Sequence, residues 1–410
     1  MIASLPNELW WKIIDHAISF RSNLAMVGPS LERLHPFFPG GFSGFGDTDF
    51  YSSQGDIWKR SNMVARNFVL VNRLWRGIAE RFLYSAFYVE EEWQVQRFVN
   101  TIKSNPNLAK QLHTLVIIPR LYIRDVRGVD AADFNPLILQ MLSLCHRIGA
   151  LVIDSGVYSR ALHLFQSLDS SYCLVMLSAL WLLGEEFATF MTNFNNYAKL
   201  QVLELYVYHV NIHTLPSLPE HITFPSLHTL ILRRLDSHIV NVVGKWELPS
   251  LKKLSISRWK PLISTPLLSL IQRSYERLEF FGACVGLLHD PDFHDILRAP
   301  PFHLRNVTLN IPAPGYLSPP MHPAIKPLFG HVVTLGISKF DWIGSKNPVG
   351  WVQFFSDPTY MPHLRSVLTD MRSSRLDTAC ALKKVFEDRG VAFKGVTKDG
   401  STFVPIKLLQ

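Results

Sequence analysis

Apolar positions change their period along this chain. Over roughly the first 87 residues they recur three or four apart, and from about residue 89 they fall in short alternating runs. The first period is that of a helix face and the second that of a strand. Residues 1–21 read as a helix, with Leu5, Leu9, Ile13 and Ile14 on a stripe widened by Trp10, Ala17 and Ile18. Ser4 suits its N-cap, Pro6 its first turn, and Asn7 and Glu8 its positive end. A glycine-rich stretch at 37–56, FFPGGFSGFGDTDFYSSQGD, interrupts the pattern and reads as a loop. Helical spacing resumes from about 58 to 87 through Phe68, Val71, Leu74, Trp75, Ile78, Ala79, Phe82 and Leu83. Residues 1–88 therefore read as a small all-α module with a glycine-rich insertion.

From residue 89 a pattern L-x-x-L-x-L recurs, with Ile, Val and a few other apolar residues in place of some leucines. Its copies start at 112, 148, 174, 200, 227, 251, 278, 304, 332 and 364, so most intervals fall between 24 and 28 residues. That spacing lies within the 20–29 residues of a leucine-rich repeat. Each L-x-L is a short strand with alternate side chains facing inward, and the earlier leucine closes the turn into it. One such unit cannot bury its apolar face alone, so neighbours must stack. Segments 133–147, 184–197, 264–277, 290–298 and 349–357 read as helices between strands. Prolines stand just before strands in TFPSLHTL, ELPSLKKL, APPFHLRNV and YMPHLRSV, where they bias the preceding residue to extended geometry. The expected fold is an α/β solenoid over 89–375, an irregular leucine-rich-repeat array with parallel strands on the concave side and helices on the convex side. Residues 376–410 read as a C-terminal cap: a helix at 376–389, Gly390 at its end, and VAFKGV as a strand.

Composition agrees with a long shared core. Of the 410 residues, 48% are hydrophobic and only 18% charged, and the formal net charge is +8. That balance is too mild to imply nucleic acid. Cys145, Cys173, Cys284 and Cys380 are too far apart for a disulfide framework or a zinc knuckle. MIASLPNELWWKII has no basic start of a signal peptide, and no apolar run reaches membrane-spanning length. A reducing, cytoplasmic or nuclear setting is expected, with no membrane.

Chemistry is sparse. GFSGFG at 41–46 lacks the strand before and the helix after that a phosphate loop needs. No H-E-x-x-H or G-x-S-x-G occurs, and His209 and His213 flank a strand exit rather than sharing a helix face. Glu185 and Glu186 suit the start of a helix, and the acidic triplet Glu90–Glu92 reads as a boundary between modules. No catalytic residue, metal or cofactor is expected.

Two surfaces remain. The helical module is more apolar than so small a bundle needs, which predicts burial against a partner or the array. The other surface is the concave face of the array. Its expected lining is Val116, Glu204, Ile231, Ser255, Thr308 and Gly336 on strands, with Tyr206, Tyr208, Arg233, Arg234, Arg258, Trp259, Phe340 and Trp342 just after them. Aromatic residues and arginine are the residue types of binding hot spots.

The opening LPNELWWKIIDHAI resembles the start of an F-box, and FVLVNRLWRGIAERFLYSAFYV resembles its second half. Leu5, Pro6, Glu8, Leu9, Ile13 and Ile14 match, as do Leu70, Val71, Arg73, Trp75, Ile78 and Ala79. Asn72 stands where the family has Cys or Ser, and the glycine-rich stretch lengthens the module to about 80 residues. The chain is thus similar to fungal F-box proteins with degenerate leucine-rich repeats. The resemblance implies docking on the Skp1 adaptor of a cullin–RING ubiquitin ligase through Leu5, Pro6, Leu9, Ile13, Ile14, Val71 and Trp75. It also implies that the array holds a protein substrate near the ubiquitin-charged enzyme without itself being catalytic. A scaffold that binds the adaptor or other partners without forming a ligase is the alternative, and an enzyme in an irregular αβ fold is a third reading.

Overall fold

The computed structural model describes residues 9, 62–71, 73–89, 91–117, 134–154, 168, 174–182, 184–193, 197–207, 222–233, 237–257, 265–284, 288–289, 291–297, 304–310, 323–338, 348–369, 383–396 and 402–403. The chain divides into two compact units, with the boundary between Tyr197 and Ala198.

In the first unit, helices α1 (62–71) and α2 (Arg73–Ser85) precede four strands. These are β1 (Ala86–Val89), β2 (Thr114–Ile117), β3 (Ala150–Asp154) and β4 (Met176–Leu182). Helices α3 (Glu92–Ser104), α4 (Pro106–Ala109), α5 (Phe134–Leu144) and α6 (Gly184–Thr192) complete it. The strands pair in parallel and in chain order, and Phe87, Leu115, Leu151 and Leu177 lie opposite one another in one row.

The second unit continues the alternation. Its strands are β5 (Val202–Val207), β6 (Thr229–Arg233), β7 (Lys253–Ser257), β8 (Phe280–Cys284), β9 (Asn306–Asn310), β10 (Thr334–Ser338), β11 (Ser366–Thr369), β12 (Ala392–Val396) and β13 (Thr402–Phe403). Its helices are α7 (Ser237–Gly244), α8 (Thr265–Ser274), α9 (Pro291–Leu297), α10 (Lys326–Phe329), α11 (Pro348–Ser356) and α12 (383–388). Strands β5 to β12 are parallel in chain order, and only β13 runs antiparallel. A buried row of Leu203, Leu230, Leu254, Phe281, Val307, Leu335, Val367 and Phe393 crosses this sheet. The sheet is open, and the arrangement is α/β solenoid-like.

All ten strands expected from the repeat are present, each starting two residues after its leading apolar residue. Those ten leading residues, from Leu112 to Leu364, are at most 7% exposed. The proline-containing segments before two strands are tied to each other. In TFPSL and ELPSL the segments before β6 and β7 form a parallel bridge between Thr223 and Glu247. Ser250 Oγ donates to the Pro225 carbonyl at 2.6 Å, and Thr223 Oγ1 donates to Glu247 Oε2 at 3.0 Å. Gly390 has φ +68°, the left-handed geometry of a helix end, and VAFKGV supplies β12.

Two expectations need correction. The helical pattern does not run to residue 87, because Ala86–Val89 leaves α2 to become β1. A short alternating run directly after a helix is hard to separate from its last turn by periodicity alone. The acidic triplet is not merely a boundary, because Glu91 caps α3 and its N–H donates to Gln94 Oε1 at 3.2 Å. Helix α3 then buries Val95, Phe98, Val99 and Ile102, and Phe98 stacks on Phe87 at 4.3 Å. Of the expected helix at 376–389, the described turns cover 383–388.

Candidate docking surfaces

The two helices before the sheet have two different faces. Ala65, Ile78 and Ala79 form a small buried core, flanked by Val64, Phe68, Val69, Trp75, Phe82 and Leu83. Trp75 meets Phe68 edge-on at 5.1 Å. On the other side Met63 is 60% exposed, Leu70 78% and Val71 56%. Three large apolar side chains within nine residues of one helix therefore lie in water, with Asn67 exposed between them. Leu9 is helical and also exposed.

Of the seven residues expected at an adaptor interface, Leu9 and Val71 are solvent-facing, while Trp75 is half-buried and packs within the module. Leu5, Pro6, Ile13 and Ile14 lie outside the described residues. Met63 was absent from that set. Its spacing of seven from Leu70 was a readable signal, since residues seven apart share a helix face.

On the sheet face expected to be open, several positions are buried and Ser255 is half-buried. Val116, Glu204 and Ile231 are at most 4% exposed, and Tyr206 and Arg233 are 5% and 4% exposed. Arg233 Nε approaches Glu204 Oε1 at 2.5 Å, so the pair meets its charge internally. Tyr206 and Arg233 thus face away from the inner leucine row, as strand parity requires, and both are buried. Parity assigns a face and does not say whether that face is wet; parallel sheets are commonly covered on both. Tyr208, Arg234, Arg258, Trp259, Phe340 and Trp342 lie outside the described residues.

Exposed polar groups gather instead at the starts of the strands. The carbonyl of the residue before one strand accepts two N–H groups from the next unit. Arg305 O receives Val333 N at 2.8 Å and Thr334 N at 3.1 Å, and Val333 O receives Arg365 N at 2.8 Å and Ser366 N at 3.2 Å. Arg305 and Arg365 are exposed, as are His331 and His363, whose rings stack with centroids 6.3 Å apart. They lie before the strands, outside the strand and post-strand positions expected to line a binding face.

Buried titratable groups fit a packed interior. Burial pushes the Cys145 thiol up to about 12, so it carries no thiolate near neutral pH. Burial also raises Tyr88 and Tyr197 well above the ordinary phenol value. Among the described residues no three His, Cys, Asp or Glu side chains gather at one metal position, and no helix is long and apolar enough to cross a membrane.

No family matches the chain, and no curated protein is similar to it. Among solved structures, a protein from Bacteroides fragilis is similar over 87% of this chain and 87% of its own, with 12% identity and a TM-score of 0.36. That similarity is too low to carry an argument about fold or activity.

Proposed function

We propose that this chain is the substrate-recognition subunit of an SCF-type ubiquitin ligase. In this reading residues 1–88 are an F-box that docks on Skp1, and the strand–helix units are irregular leucine-rich repeats that hold a target protein. The observation that carries the proposal is the unpartnered apolar stripe of Met63, Leu70 and Val71, of which Leu70 and Val71 lie within the segment that resembles the second half of an F-box. Leaving three such side chains in water is unfavourable, and burying each fully against a partner contributes about 1.5–3 kcal/mol. The chain supplies proximity and no chemistry of its own, raising the effective concentration of a target lysine near the charged enzyme.

The test is co-purification with Skp1 and a cullin, wild type against Leu70→Asp with Val71→Asp. Both positions are exposed, so the variant keeps its fold, which a thermal melt checks. Wild type should assemble all three components, and the variant should bind Skp1 at least ~100-fold more weakly. No binding by wild type, or undiminished binding by the variant, overturns the docking assignment. Skp1 binding without cullin would leave a scaffold in place of a ligase subunit.

A further inference from the structure

The geometry points to an acidic-peptide docking strip across the starts of β9, β10 and β11, built from Arg305, His331, His363 and Arg365. That the bound partner is a ubiquitination target rests on the function proposed above; the strip itself does not.

The strip follows from the repeat. Asn306, Thr334 and Ser366 are register partners on three neighbouring strands. Arg305 and Arg365 each immediately precede the outer two, and the backbone bonds through Val333 hold the three starts side by side. His331 and His363 stand two residues further back, each in its own unit, and stack with an interplanar angle of 11°. Two exposed guanidinia thus border a pair of exposed imidazoles.

Several other basic groups of this unit are engaged within it. Lys252 pairs with Glu279 at 3.0 Å, and Arg233 pairs with Glu204. Arg273 donates to the Gly244 and Trp246 carbonyls, and Arg389 to those of Phe355 and Met361. Among the described residues, Arg305 and Arg365 have neither an ion pair nor a side-chain hydrogen bond. The nearest acidic residue in the same row is Glu279, one unit before Arg305, and Lys252 already engages it. No ion pair among the described residues meets the charge of these two arginines, and they lie in a chain of net charge +8.

Spacing selects the partner. Neighbouring strands lie ~4.8 Å apart, so Arg305 and Arg365 start roughly 10 Å from each other. An extended peptide advances about 3.3 Å per residue, so carboxylates at i and i+3 are also roughly 10 Å apart. A peptide crossing the strand starts would set one carboxylate at each arginine, where bidentate pairing is available. Backbone or side-chain oxygens between them would face the imidazoles.

The experiment uses the full chain and a short fluorescein-labelled extended peptide with aspartates at i and i+3, read by anisotropy at low salt. Companion probes carry asparagines in their place, the two aspartates side by side, or a single-stranded oligonucleotide. The i, i+3 peptide should bind best, and Arg305→Gln with Arg365→Gln should weaken it about five- to tenfold. Lys245→Gln with Lys384→Gln, at two exposed lysines elsewhere, should change nothing. The strip is refuted if the aspartate peptide does not bind, if all peptides bind alike, if the lysine variant weakens binding equally, or if the oligonucleotide binds more tightly with the same arginine dependence. Skp1 binding by the double arginine variant is measured in parallel. A wild type that binds Skp1 but not the aspartate peptide condemns the strip alone, and a wild type that binds the peptide but not Skp1 condemns the ligase reading alone.

Discussion

Glu204 and Arg233 show how much one residue depends on its surroundings. Both are buried on the sheet face opposite the leucine row, where removing two charges from water is costly and their attraction offsets that cost. Breaking the pair by Glu204→Gln should destabilise the protein by about 3–5 kcal/mol, whereas Glu204→Leu with Arg233→Met should come near neutral or better. Urea unfolding of the three proteins checks this, and a double variant as unstable as the single would refute it. Gly282 illustrates the same dependence by contact. A Cβ there would lie 2.6 Å from Ser255 Oγ and 3.1 Å from Ser255 Cβ on the adjacent strand. Gly282→Ala should cost about 1–3 kcal/mol, and adding Ser255→Gly should recover much of it. The sequence placed Glu204 and Ser255 on their face correctly. It could not show that a carboxylate there would be dry or that a hydroxyl would fill the space beside a glycine, because neither depends on strand parity.

At the scale of elements, the repeat made the strands legible. Each L-x-x-L-x-L yielded a strand because its three apolar residues form one inward-facing set whatever the irregularity of the intervening loop. Leu254 stands in that set between Leu230 and Phe281 and is fully buried. Leu254→Ala should therefore cost about 2–5 kcal/mol, while Leu70→Ala on the exposed face of α1 should stay within about 0.5 kcal/mol. Equal losses in thermal or denaturant unfolding would contradict the faces assigned. The end of the sheet depends on polar links as well. Thr359 N donates to Asp357 Oδ1 at 2.8 Å, and Lys326 Nζ donates to Thr359 Oγ1 at 2.9 Å. Hydrogen bonds from Thr359, helped by Lys326 and Arg389, hold the Asp357 carboxyl below its ordinary value. A depressed carboxyl stabilises the fold above its unfolded value of about 3.9, and that stability disappears as pH falls through the lower folded value. Asp357→Asn should consequently lower the melting temperature at neutral pH, with the gap to wild type narrowing as pH falls below about 4. A gap independent of pH would show that the carboxylate is not the source. Helix α3 and strand β1 escaped the sequence reading for a local reason: one starts in an acidic run and the other directly follows a helix without a turn signal.

At the scale of the whole molecule, the proposed adaptor docking and the proposed peptide docking use different residues, those of 62–71 and the set Arg305, His331, His363 and Arg365. They should fail independently. Leu70→Asp with Val71→Asp should weaken Skp1 binding at least ~100-fold and leave the aspartate peptide bound, and Arg305→Gln with Arg365→Gln should weaken the peptide about five- to tenfold and leave Skp1 bound. Any variant that loses both while keeping its melting curve would show that the two activities share a surface. The alternation of apolar residues and the spacing of its copies determined that this chain builds parallel strands in sequence, because each unit must bury an inward row against its neighbours. Those features belong to contiguous sequence and need no knowledge of what lies beside them. Only the tertiary structure decided that Tyr206 and Arg233 are enclosed, that Trp75 packs inside its module while Leu70 does not, and that Arg305 and Arg365 stand in a row. Exposure and alignment depend on which distant residues are brought alongside, and in a repeat that information resides in the packing between units, not within any one of them.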